Sequence, residues 1–347
     1  YDKDQANGGV VFLYYGMNNA SGYGPSKNEI LECTQADAMF GYSVAGAGDV
    51  NADGASDIII GARLFDINQN KTNEGAAFIF KGNTNSTPIS ASLPQVILSN
   101  QADSRFGHSV STAGDVNGDG YADIAIGAYY FDGDLSNEGV VYVHHGNVNG
   151  VYAAASKVIE GNQLEAQFGW AVASAGDVNG DGYGDLIVGA RYFSSGQNHE
   201  GSAFVYHGSS VGLDVSAASM IESNQADAWL GNAVASGGDV NGDGYSDILI
   251  GSYAFDHGQT DEGQVFVYHG SAGTVGSAPK SISGSAVSGA LAGSSVSSAG
   301  DIDGNGLDDI VVGAPNFDGG LVNERAIFIS YGDAVVGTNS IIKIESN

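Results

Sequence analysis

Disulfides, proline and positive charge are all scarce in this sequence. Its single cysteine, Cys33, rules out an intrachain disulfide and reads as a small buried apolar residue. That does not exclude secretion, because a bound metal can staple a fold instead. Lys and Arg total 11 against 40 Asp and Glu, a formal charge of −29. Such a field repels phosphate backbones and anionic lipid surfaces, so neither nucleic acid nor direct membrane insertion is expected. A cation is the natural partner. No apolar run approaches the roughly 20 residues of a spanning helix. No leader is visible at Tyr1, so the signal of a secreted form would have been removed or would lie outside this sequence. No Gly-x-Ser-x-Gly elbow stands between a strand and a helix, and no phosphate-binding glycine loop is present; an enzyme is not expected. Helical periodicity is absent as well.

What the chain has is glycine, 54 residues, against 5 prolines, with 42% apolar residues. That suits many short strands joined by tight turns, with enough Val, Ile, Phe and Tyr for a core. The main fact is an internal repeat. The segment DVNADGASDIIIGA begins at Asp49, and its counterparts begin at Asp115, Asp177, Asp239 and Asp301, spaced 66, 62, 62 and 62 residues apart. An aromatic–Gly pair precedes the segment at Phe40-Gly41, Phe106-Gly107 and Phe168-Gly169, and degrades to Leu230-Gly231 and Ala292-Gly293. Each unit reads as four strands: one of small residues around a Val, one almost wholly apolar, one of alternating aromatics and Val, and a short polar outer edge. Four graded antiparallel strands repeated near every 60 residues describe an all-β fold, a β-propeller. Residues 1–347 read as one domain, with blades starting near 40, 106, 168, 230 and 292. The start, through about residue 39, aligns with the second half of a blade, giving five blades and a half, six or seven if completed.

Every repeat carries the pattern D-x-[DN]-x-[DN]-G-x-x-D. Side-chain oxygens at positions 1, 3, 5 and 9, with the carbonyl at 7, can wrap one hard cation, and Gly at position 6 permits the sharp turn. The predicted ligands are Asp49, Asn51, Asp53, Ala55 and Asp57 in the first loop, and Asp115, Asn117, Asp119, Tyr121 and Asp123 in the second. The third has Asp177, Asn179, Asp181, Tyr183 and Asp185; the fourth has Asp239, Asn241, Asp243, Tyr245 and Asp247. The fifth has Asp301, Asp303, Asn305, Leu307 and Asp309. All-oxygen donors favour Ca2+ over zinc or copper, about one ion per loop and five in all. Asn-Gly and Asp-Gly are also ordinary turn formers. Five copies that each keep an oxygen at every ligand position outweigh that reading. Flanking β-branched strands, where helices would be needed, exclude an EF-hand.

Other recurring residues read as structural. His145, His207 and His269 end the third strand and read as half-exposed neighbours of a turn glycine. Glu74, Glu138, Glu200, Glu262 and Glu324 precede that strand and read as hydrogen-bonding turn residues. Trp170 and Trp229 near the first strand read as packing between blades, or as exposed rings that could stack on a sugar or anchor a protein.

Taken together, Phe106-Gly107, Gly313-Ala314-Pro315 and the intervening acidic loop resemble the FG-GAP repeat of integrin α-subunit propellers. The resemblance covers essentially the whole chain. It implies a propeller with calcium between the first and second strands of its blades, used for adhesion, as a lectin or as an accessory domain of an enzyme. Five intact loops resemble the bacterial-type members more. Only one copy keeps Pro after Gly-Ala; Arg63, Tyr129, Arg191 and Tyr253 stand in the others. The expectation is a calcium-stabilised, extracellular or cell-surface binding module for a protein or glycan ligand. The alternatives are a segment of a larger adhesin or filament, assembled with further repeats or another chain, and an accessory domain of a polysaccharide- or lipid-acting enzyme.

Overall fold

Each repeat folds as its residue types dictate. The second strand is the most apolar and is covered on both faces, as at Ile124 and Ile126 in the run Asp123–Ala128. A computed structural model of the chain describes residues 6–14, 29–67, 72–84, 89, 93–276, 279–283, 287–318, 320, 324–333 and 341–345.

Among these residues five four-stranded antiparallel sheets form, each in chain order. Blade 1 comprises Phe40–Gly48, Asp57–Ala62, Ala76–Phe80 and Gln95–Leu98. Blade 2 comprises Ser109–Gly114, Asp123–Ala128, Val140–His144 and Lys157–Glu160. Blade 3 comprises Phe168–Gly176, Asp185–Ala190, Ser202–Tyr206 and Ser219–Glu222. Blade 4 comprises Ala233–Gly238, Asp247–Ser252, Gln264–Tyr268 and Lys280–Ser283. Blade 5 comprises Ser295–Gly300, Asp309–Ala314, Ala326–Ser330 and Ile341–Glu345. Ahead of blade 1, Val10–Leu13 pairs antiparallel with Glu29–Glu32. No helix among the described residues is long and apolar enough to cross a membrane.

First strands of successive blades lie side by side, while the fourth strands stay apart, so the sheets radiate like propeller blades. The small residues of the first strand are what this crowding requires. The core sits between blades: Val50, Ile59 and Ile79 of blade 1 pack on Phe106, Val110, Ile124 and Ile126 of blade 2. Backbone bonds stitch neighbours together where the aromatic–Gly pair begins. Phe106 N–H donates to the Glu74 carbonyl, Phe168 to Glu138, Leu230 to Glu200 and Ala292 to Glu262, each at 3.0 Å.

The glycines of this stitch interlock. A Cβ on Gly61 would lie 2.0 Å from the Gly107 carbonyl oxygen, one on Gly127 2.1 Å from that of Gly169, and one on Gly189 1.9 Å from that of Gly231. The motif therefore needs its glycine more than its aromatic, which explains why the repeat degrades to Leu230-Gly231 without losing the joint.

The end blades differ from the inner ones in cover. Val110 and Val172, in the first strands of blades 2 and 3, are each 6% exposed, whereas Val44 at the same position of blade 1 is 50% exposed. On blade 5 the apolar Ile327, Ile342 and Ile344 are exposed likewise.

Candidate metal loops

All five acidic loops connect the first strand of a blade to its second. Their local fold comes from short polar side chains capturing their own backbone, the habit of Asp and Asn in turns. In the second loop Asp115 Oδ1 accepts N–H from Gly118 at 2.7 Å and Asp119 at 3.1 Å, and Oδ2 accepts Gly120 N–H at 2.8 Å. Asn117 Oδ1 accepts Asp119 N–H at 2.9 Å, and Asp119 Oδ1 accepts Tyr121 N–H at 3.0 Å. The third and fourth loops repeat this network through Asp177, Asn179 and Asp181 and through Asp239, Asn241 and Asp243. In the first loop Asp49, Asn51 and Asp53 do the same except that Asp49 takes no N–H from the fourth position, Ala52. In the fifth, Asp301, Asp303 and Asn305 do so with Asp and Asn exchanged. The residues at position 7, Ala55, Tyr121, Tyr183, Tyr245 and Leu307, each donate their N–H to the side chain at position 5.

The ninth-position aspartates, Asp57, Asp123, Asp185, Asp247 and Asp309, are buried beneath the loops. Each accepts two backbone N–H groups. Asp123 takes Val116 at 2.9 Å and Gly146 at 2.8 Å, so one carboxylate ties the loop to the end of the third strand. Burial pushes Asp123 up to about 7, with Asp119 and Asp115 adding to the rise while the two amides oppose it. Burial likewise pushes Asp185 up to about 6 and raises Asp57. These are the shifts of carboxylates held together out of water, and a bound divalent cation reverses them.

In the fifth loop a carboxylate oxygen from each of Asp301, Asp303 and Asp309 lies within 4.8 Å of the others. The remaining loops have Asn51, Asn117, Asn179 and Asn241 at the third position, and no other trio of carboxylates converges so closely among the described residues. The donors throughout are oxygens, the chemistry of a hard cation such as calcium.

The loops also join blades. Ala122 N–H donates to the Asp49 carbonyl at 3.0 Å, Gly184 to Asp115 at 2.9 Å, Ser246 to Asp177 at 3.0 Å and Asp308 to Asp239 at 3.1 Å. Each loop thus hydrogen-bonds the next.

The repeated histidines are half-exposed, as read, but they also touch the loops, which the sequence reading missed. His145 Nδ1 lies 3.1 Å from Asn117 Nδ2, and His269 Nδ1 lies 3.1 Å from Asp247 Oδ2. The signal was available: the third strand pairs with the second, whose first residue is the ninth loop position, so the residue after the third strand lands beside the loop. The repeated glutamates are buried turn residues, with Glu74 Oε1 accepting Asn100 N–H at 2.6 Å and Glu138 Oε1 accepting Leu135 N–H at 3.3 Å.

Radial four-stranded sheets, each with an acidic loop between its first two strands, define a propeller of integrin α type. The FG-GAP repeat model matches residues 40–80, 106–144, 168–206, 230–268 and 292–327, more than half of the sequence, and the chain belongs to that family. It is 36% identical to mouse (Mus musculus) integrin alpha-7 over 165 residues, 47% of this chain and 13% of that protein. It is 30% identical to Gallus gallus integrin alpha-V over 229 residues, 63% of this chain and 20% of that protein. Identity to Xenopus laevis integrin alpha-5 is 30% over 231 residues, with the same coverage of 63% and 20%. The chain thus spans a fifth or less of the length of these relatives.

Proposed function

We propose that this chain is a calcium-stabilised, extracellular or cell-surface binding module without catalysis of its own, recognising a protein or glycan ligand. The observation that carries it is the coupling of the acidic loops to one another: each buried ninth-position aspartate fastens its loop to its own blade, and in the second to fifth loops the eighth-position amide fastens it to the preceding blade. On this reading one Ca2+ per loop is held by the residues at positions 1, 3, 5 and 9 and the carbonyl at position 7 of the five loops. It neutralises the carboxylates and sets the angle between neighbouring blades. Family membership and likeness to integrin alpha chains support adhesion as the use. The regular presence of the loop in all five repeats favours a bacterial-type member. The test is a binding screen against a glycan array and extracellular-matrix proteins, in calcium and in chelator. A calcium-dependent ligand is the expected result, and a blank screen with folded protein in calcium refutes the reading.

A second reading, a segment of a larger adhesin or filament, is favoured by the uncovered faces at Val44 and at Ile327, Ile342 and Ile344. Further blades of the same kind would cover them.

A further inference from the structure

The end of the blades opposite the acidic loops carries a row of stacked rings and guanidinium groups. The third residue of each first-strand motif is Tyr42, His108 and Trp170 in blades 1 to 3, and the residue after each second strand is Arg63, Tyr129 and Arg191. These are the positions where an otherwise copied scaffold changes from blade to blade. The Arg63 guanidinium carbon lies 3.8 Å from the Tyr42 ring centroid. The His108 ring lies 5.0 Å from Tyr42, 4.3 Å from Trp170 and 4.4 Å from Tyr129. The Arg191 guanidinium carbon sits 3.2 Å from the Trp170 centroid. A continuous stack therefore runs Arg63, Tyr42, His108, Trp170, Arg191 across three blades.

The cationic groups of the row are short of anionic partners. With a net charge of −29 available, no carboxylate pairs with Arg63 or Arg191 among the described residues. Arg191 Nε donates to a neutral acceptor, Gln167 Oε1, at 2.8 Å. Arg63 Nε and His108 Nδ1 are buried with no hydrogen bond at all. His108 is 6% exposed, and its proton affinity is driven down to a pKa of about 3, first by burial and then by the field of Arg63 and Arg191. A buried guanidinium N–H without an acceptor is costly, and two guanidinium groups without a carboxylate partner attract an anion. The acidic loops do not quench this field. They lie at the far end of a six-residue strand, about 20 Å away, beyond the Debye length of about 8 Å at physiological salt.

We infer that this row is a subsite for an acidic oligosaccharide containing uronate or sialate residues, with Arg63 at one end of the row and Arg191 at the other each able to take a carboxylate and the aromatic rim between them, including the exposed Tyr42, taking the sugar rings. Guanidinium edges match a carboxylate in bidentate geometry, and flat rings beside them suit the C–H face of a pyranose. An acidic peptide offers the carboxylate without a ring to lie on the aromatics. This inference deepens the binding-module reading and rests on it.

The experiment is calorimetric titration of the calcium-loaded chain with trigalacturonate and with a sialylated trisaccharide, beside their methyl esters and a polyglutamate peptide. At least one acidic sugar binds, and its uncharged ester binds at least about tenfold more weakly. Arg63→Gln and Arg191→Gln each weaken binding by a similar factor, Arg63→Lys weakens it less, and all three keep the wild-type melt in calcium. Binding unchanged in both glutamine variants, ester equal to acid, or polyglutamate binding where the sugars do not, overturns the inference. A ligand found in the broad screen that ignores Arg63 and Arg191 overturns the subsite and leaves the binding module standing; no ligand of any kind removes both.

Discussion

Asp123 and Gly146, 23 residues apart, are joined by a 2.8 Å hydrogen bond from the glycine N–H to the buried carboxylate. The bond recurs as Gly208 to Asp185, Gly270 to Asp247 and Gly332 to Asp309, each at 2.9 Å. A loop residue that would ligate a cation is thus also the brace between the second and third strands.

Replacing that brace separates its two roles. Asp123→Ala strands two buried N–H groups and costs about 2–5 kcal/mol even in chelator, and more in calcium, where a ligand is lost as well. Asp115→Ala, in the exposed part of the same loop, destabilises strongly in calcium and little in chelator. Urea unfolding of both variants in the two buffers makes the comparison. Equal losses for Asp115→Ala in both buffers would argue that the loop binds no ion.

If each acidic loop holds a calcium ion, chelation acts on every blade joint. A site held at 100 times its dissociation constant contributes about 2.7 kcal/mol, so chelation lowers the melting temperature by many degrees. Thermal melts in calcium and in excess chelator, with metal content measured, check this. An unchanged melt in metal-free protein rejects structural calcium.

Glycine in the blade joint is irreplaceable for a steric reason. Gly61→Ala puts a methyl 2.0 Å from the Gly107 carbonyl oxygen, backbone against backbone, and destabilises by about 3 kcal/mol or more. Gly46→Ala, where a Cβ meets nothing within 4 Å, stays within about 0.5 kcal/mol of wild type. Denaturant midpoints of the two variants decide. Matching midpoints would show that the joint opens without cost.

Acid weakens the aromatic row. His108, packed on Tyr42, Tyr129 and Trp170 and faced by Arg63 and Arg191, has its pKa depressed from 6.5 to about 3. Because the folded value lies below the unfolded one, the unfolded chain takes the proton first. The stability of the neutral buried ring is complete above pH 6.5 and is lost as pH falls toward about 3. His108→Phe, which keeps a ring in the stack, removes about 2 kcal/mol of the decline between pH 6.5 and about pH 4.5. Parallel declines for variant and wild type would show that the histidine is not held neutral.

The repeat spacing, the strand patterns and the acidic loops were legible in the amino-acid order because each is local: ligand spacing within nine residues and alternation within six are properties of one stretch of chain. Four-stranded blades and the place of every loop between a first and a second strand followed from them. What only the tertiary structure decided involves residues of different strands or blades. Gly61 meets Gly107, His269 meets Asp247, and Arg63 joins Tyr42, His108, Trp170 and Arg191 in one row, all contacts between residues 20 to more than 60 positions apart. Val44 and Val110 occupy the same place in the same motif, yet one is exposed and the other buried, because burial depends on whether another blade stands alongside.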